Sequence, residues 1–115
     1  GVDRARCMNK AQKEKILDEL GGLDEADYDA LVTELIAEIE KRITELESAM
    51  KEDDFDGIAK IAHSVKGAAG NLRIYKIQEI AGSLESEAKE KKNKTDIATA
   101  LQEIVRELDE IKGSI

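Results

Sequence analysis

The sequence predicts an all-α fold: an antiparallel up-down-up-down four-helix bundle with an additional short N-terminal helix. Apolar residues recur at spacings of three, four and seven through four long stretches, and no stretch alternates with the period of a strand. The 115 residues include no proline and no tryptophan, the aromatics are only Tyr28, Phe55 and Tyr75, and 38% of residues are charged. That profile suits a water-exposed bundle around an aliphatic core. The polar breaks between the stretches are short, which makes sequential helices antiparallel neighbours.

Residues 1–22 read as an N-terminal extension and residues 23–113 as the bundle. Residues 1–8 are expected to be a remnant of what precedes the domain. Residues 9–20 are expected to form the short helix, with Ile16, Leu17 and Leu20 packing on the bundle before the Gly21-Gly22 break. The first long helix carries Tyr28, Leu31, Val32, Leu35, Ile36, Ile39, Ile43, Leu46 and Met50 on one stripe, with Asp24 as its N-cap. Asp53 or Asp54 caps the next helix, whose core face is Phe55, Ile58, Ala62, Val65, Ala69 and Leu72. A third helix buries Ile74, Ile77, Ile80, Ala81, Leu84 and Ala88. Thr95 or Asp96 caps a fourth, with Ile97, Leu101, Ile104, Val105, Leu108 and Ile111 on one face.

Composition narrows the function. One domain of this size has no room for a kinase beside a regulatory module. The net charge of −8, from 18 basic and 26 acidic residues, argues against nucleic acid. Lys89, Lys91, Lys92 and Lys94 are diluted by Glu87 and Glu90 and read as a solvated helix end favoured by the macrodipole. The single Cys7 has no internal disulfide partner, and one Cys with one His does not make a common zinc site. Glu52, Asp54, Asp56 and Gly57 imitate the start of a calcium loop, but its twelfth position falls on His63 instead of a bidentate glutamate. No metal and no cofactor of the chain's own is therefore expected. No apolar run reaches the length of a membrane span and no signal-type stretch opens the chain, so a soluble, cytoplasmic monomer without membrane contact is expected.

His63, the only histidine, lies in the run Ala62-His63-Ser64-Val65-Lys66-Gly67-Ala68-Ala69-Gly70-Asn71-Leu72. At about 100° per residue the core stripe passes through Ala62 and Val65, while Ala59, Lys60, Lys66, Gly67 and Gly70 share the face of His63. The imidazole is thus expected at the edge of the core or outside it. Two glycines within a helix cost about 1 kcal/mol each relative to alanine, so an offsetting reason is needed. The reason read here is that Gly67 and Gly70 clear side chains so that a partner surface reaches the ring, with Lys60 and Lys66 balancing charge beside it. The competing reading is a partly buried histidine beside glycines that only permit tight helix packing. Gly67-Ala68-Ala69-Gly70 is not a nucleotide loop, because it lies within a helix and no strand precedes it, and no ATP-binding motif occurs elsewhere.

This run resembles the HxxKG signature of histidine phosphotransfer (HPt) domains, and the resemblance covers about residues 23–113, including helix order and loop positions. It is similar both to the terminal HPt module of hybrid sensor kinases and to the phosphotransfer domain of chemotaxis kinases. The resemblance implies that His63 is the phosphoacceptor, Lys66 the family's lysine and Gly67 its close-approach glycine. One departure is that most members have a glycine after the apolar residue ending this helix, where Arg73 follows Leu72 here.

If the second and third long helices turn back near Arg73, residue 63 lies level with residues 82–86, where Glu85 is the group able to accept a ring proton. Family members resembling chemotaxis kinases place a glutamate, and others a glutamine, at this spacing. Glu85 is accordingly expected to hold Nδ1 as N–H and leave the Nε2 lone pair free, against the alternative of an ordinary solvated glutamate. Gln78, nearer the turn, is expected to border the docking surface, as are exposed apolar residues from Ile61 and the first long helix.

The resemblance implies a carrier that is not itself an enzyme. It would accept a phosphoryl group on His63 from a receiver-domain aspartate or a kinase and pass it to another response regulator. Its partners would be response-regulator receiver domains and a histidine kinase, in weak transient contacts, with magnesium on the receiver. Two alternatives stand beside it: a phosphotransfer segment of a chemotaxis-type kinase phosphorylated from ATP in trans, and a non-phosphorylated helical adaptor bundle.

Overall fold

The computed structural model describes residues 10–90 and 94–114; Cys7, the segment 1–9, and Lys91 and Lys92 of the basic run lie outside the described residues. Among the described residues there are five α-helices: α1 Lys10–Glu19, α2 Glu25–Lys51, α3 Phe55–Asn71, α4 Tyr75–Lys89 and α5 Lys94–Ser114. Helix α2 packs on α3, α3 on α4, α4 on α5, and α5 closes back on α2. The core is aliphatic, and its fully buried side chains include Ile39, Leu46, Ile58, Ile77, Leu84, Ile97 and Ile104 with Tyr28. The short α1 joins it through Ile16, while Lys13 pairs with Asp29 at 2.7 Å and Glu25 at 3.1 Å on the first turns of α2.

The reversals after α1, α2 and α3 are built from left-handed residues that follow the helix ends. Gly21, Asp53 and Arg73 have φ of +89°, +56° and +62°. Each closes its helix with the paired backbone hydrogen bonds of a Schellman motif. At the end of α3, Arg73 N–H donates to the Gly70 carbonyl at 3.1 Å and Ile74 N–H to the Ala69 carbonyl at 2.9 Å. Arg73 therefore takes the left-handed backbone geometry that glycine ordinarily supplies in a Schellman motif. Its guanidinium offsets the strain by donating to the Gly70 and Asn71 carbonyls at 3.0 and 3.3 Å and meeting Glu19 of α1 at 3.4 Å. Tyr28, 2% exposed, sends its hydroxyl to the Leu72 carbonyl at 2.6 Å, so α2 caps the same turn.

Several expected details differ. Asp24 occupies the N-cap position of α2 but its side chain makes no capping bond. Asp54, not Asp53, caps α3 by accepting from Gly57 N–H at 3.0 Å. Helix α5 begins at Lys94, so Thr95 and Asp96 lie in its first turn instead of capping it. Leu31 and Val105 are each 40% exposed, because each sits next to a residue that takes the core position, Val32 and Ile104, and consecutive helix residues point about 100° apart. Ile61, expected among the exposed apolar residues, is partly buried and packed against the core.

Candidate functional site

The α3–α4 hairpin sets the site's register. His63 meets Glu85, the stem of Lys66 lies over Gly82, and Gly70 lies under Gln78; all three pairs centre on Ile74 at the turn. One face of α3 is thereby laid along one face of α4, with the ring at its outer edge.

His63 Nδ1 stands 3.1 Å from Glu85 Oε2, and the histidine side chain is 68% exposed while that of Glu85 is 9% exposed. Glu85 also receives Lys66 Nζ on Oε1 at 2.9 Å and Lys89 Nζ on Oε2 at 3.1 Å. The Lys66 hydrogen bond is the main influence on this carboxyl; burial opposes it, Lys89 reinforces it, and the pKa settles at about 2. Glu85 is therefore ionised at neutral pH. An ionised carboxylate only accepts hydrogen bonds, so Nδ1 is the donor in this contact. In a neutral imidazole that assignment leaves Nε2 with its lone pair.

The residues flanking the ring divide between its two sides. On a helical wheel Lys66 falls about 60° to one side of His63 and Gly67 about 40° to the other. Lys66 accordingly leans onto α4, whereas Gly67 is exposed and a Cβ built there would meet nothing within 4 Å. Lys60 is exposed on the Gly67 side, and Ala59, on the Lys66 side, is buried.

Gly70 has a neighbour within the molecule. A Cβ there would come within 3.0 Å of Gln78 Nε2 and 3.2 Å of its Cδ, so the space that this glycine leaves is filled from within the molecule. Close α3–α4 packing is thus one use of this glycine. Gln78, half-buried, borders this point and lies well along the hairpin from the ring.

Taken with the lysines that follow it, Lys89 reads as part of a solvated helix end, and its contact with Glu85 goes unseen. The signal that could have found it was the spacing of four from Glu85, which puts both on one helix face.

Among the described residues no group of three His, Cys, Asp or Glu side chains could hold a metal ion, and no helix is long and apolar enough to cross a membrane. The arrangement is a solvent-facing imidazole oriented by a buried carboxylate, with ammonium groups beside it and open space on one flank. Such a group can act as a nucleophile toward an electrophile brought by a second molecule. The sequence pattern of the Hpt domain family matches residues 30–114. Neither a curated protein nor a solved structure gives a significant match.

Proposed function

Because the chain belongs to the Hpt domain family, we propose that it is a phosphoryl carrier of a His-Asp phosphorelay, accepting the group on His63 and handing it to a response regulator. The observation that carries this reading is the exposed ring whose Nδ1 is tied to Glu85 while its other nitrogen is left for reaction.

In the transfer, the Nε2 lone pair attacks phosphorus as the bond between phosphorus and the receiver's aspartate oxygen breaks, and that electron pair leaves with the carboxylate. Nδ1 keeps its proton, so the phosphorylated ring is a cation balanced by Glu85. Lys66, one turn along, compensates the negative charge that arrives. Gly67 gives the receiver's surface its approach, bringing phosphorus into line with Nε2. The reverse sequence discharges the carrier. The chain supplies nucleophile and orientation, and magnesium comes with the receiver. The carrier works as a cytoplasmic monomer in this reading.

A carboxylate instead of an amide on Nδ1 favours a second donor, ATP acting through a histidine kinase domain of the chemotaxis type. That reading keeps every role assigned above and changes only the group that leaves phosphorus.

The test is to incubate wild type and His63→Gln with a labelled phospho-receiver, and separately with a chemotaxis-type kinase domain and ATP. Acid-labile, base-stable label on wild type alone is expected. Label from the receiver identifies the relay carrier, and label from the kinase alone identifies the kinase segment. No label from either sinks the phosphocarrier and leaves a helical adaptor.

A further inference from the structure

Lys89 shares an oxygen with the nucleophile's ring. Its Nζ lies 3.1 Å from Glu85 Oε2, and His63 Nδ1 meets the same atom at 3.1 Å, while Lys66 holds Oε1 at 2.9 Å. A glutamate–lysine pair at this spacing on an open helix face does little. Here the carboxylate is buried, so its charge must be balanced locally whatever else moves.

We propose that Lys89 is a positioning residue for phosphoryl transfer: it keeps Glu85 neutralised, and so keeps Glu85 on Nδ1, while Lys66 turns from Glu85 to the incoming phosphoryl group. The inference rests on the carrier reading above.

The charges carry the argument. With a neutral ring, two ammonium groups face one carboxylate, and the cluster holds one positive charge in excess. When the Nε2–phosphorus bond forms and the bond to the receiver's aspartate breaks, the phosphoryl group brings up to about two negative charges. The ring, retaining its Nδ1 proton, gains one positive charge. The cluster thereby reaches neutrality. Without Lys89 the same step would end with a negative excess around a buried carboxylate.

The geometry provides for the exchange. Lys66 and Lys89 side chains are 37% and 66% exposed, so both ammonium groups can move at the surface. The Lys66 stem crosses α4 over Gly82, where a Cβ would lie 3.4 Å from Lys66 Cδ. If Lys66 leaves Oε1, Glu85 loses its shortest ion pair, and Lys89 with the ring cation remains on Oε2.

The experiment uses the full chain as wild type, Lys89→Met, Lys89→Arg and His63→Gln, each mixed with a labelled phospho-receiver. Transfer rate and the equilibrium partition of label are measured, with helical content and melting followed by circular dichroism. Lys89→Met is expected to keep the helical content of wild type and melt slightly below it, and to lower the equilibrium ratio of phosphohistidine to phospho-receiver by about fivefold, the loss of one modest ion pair. Lys89→Arg is expected to restore it within about twofold, since arginine keeps the charge. A Lys89→Met partition equal to wild type overturns the proposal, and so does an arginine variant as impaired as methionine. Absence of label on wild type overturns the carrier reading itself, and this inference with it.

Discussion

Replacing Gly67 by alanine separates stability from transfer. The position is an exposed helix interior with open space above it, so the added methyl strains nothing, and alanine is worth up to about 1 kcal/mol over glycine there. If the carrier reading holds, the same methyl stands in the receiver's proposed approach, so transfer to His63 is expected to fall about tenfold while the melting temperature rises. A stopped assay of label transfer beside a thermal melt checks both; unchanged transfer removes Gly67 from the docking face. Glu85→Ala makes the opposite demand. It frees Nδ1 and leaves Lys66 and Lys89 without their shared carboxylate, and labelling of His63 is expected to slow about tenfold, the lower range of a lost orienting partner. Wild-type labelling in that variant would falsify the orienting role. The juxtaposition of His63 with Glu85 was legible because hairpin register is a matter of counting from the turn. The partner of Gly70 was not, since helical angles say which way a residue points and not which side chain of the next helix fills the space.

Helix ends store the strain that the helix interiors avoid. Arg73 holds φ at +62°, a conformation that costs an L-residue about 1–2 kcal/mol, and its guanidinium recovers part of it through carbonyls of α3 and Glu19 of α1. Arg73→Gly relieves the strain and loses the side-chain bonds, whereas Arg73→Ala loses the bonds and keeps the strain. The glycine variant is expected to be about 1 kcal/mol more stable than the alanine variant in urea unfolding. Equal stabilities would mean the turn does not hold Arg73 left-handed. Tyr28→Phe acts on the same turn from α2. It deletes the 2.6 Å bond to the Leu72 carbonyl and is expected to cost about 1 kcal/mol. At this scale the amphipathic stripes made the helices legible from apolar spacing alone. The Tyr28 cap was invisible, because a tyrosine on a core stripe reads as packing until the position of the facing turn is known. Leu31 and Val105 were misplaced for a related reason: a stripe fixes its centre better than its edges.

For the molecule as a whole, the buried carboxylate makes part of the stability depend on acid. Burial raises the Glu85 pKa, but Lys66 above all, with Lys89, lowers it from 4.5 to about 2 in the folded chain. Below pH 4.5 the unfolded chain takes up a proton that the folded chain refuses, so acid favours unfolding, by up to about 1.4 kcal/mol per pH unit for one proton. The contribution is fully present above the unfolded value and is lost as pH falls through the folded one. The chain carries many other carboxylates, and comparison with Glu85→Gln subtracts them, because the variant differs in this one group. Wild type is expected to be the more stable protein at pH 7 and the gap to narrow steadily from pH 4.5 to about 2. Thermal melts of both proteins across that range measure it. A gap that stays constant would mean Glu85 titrates alike in folded and unfolded chains. The ion pairs with Lys66 and Lys89 would then not be holding the charge that orients His63.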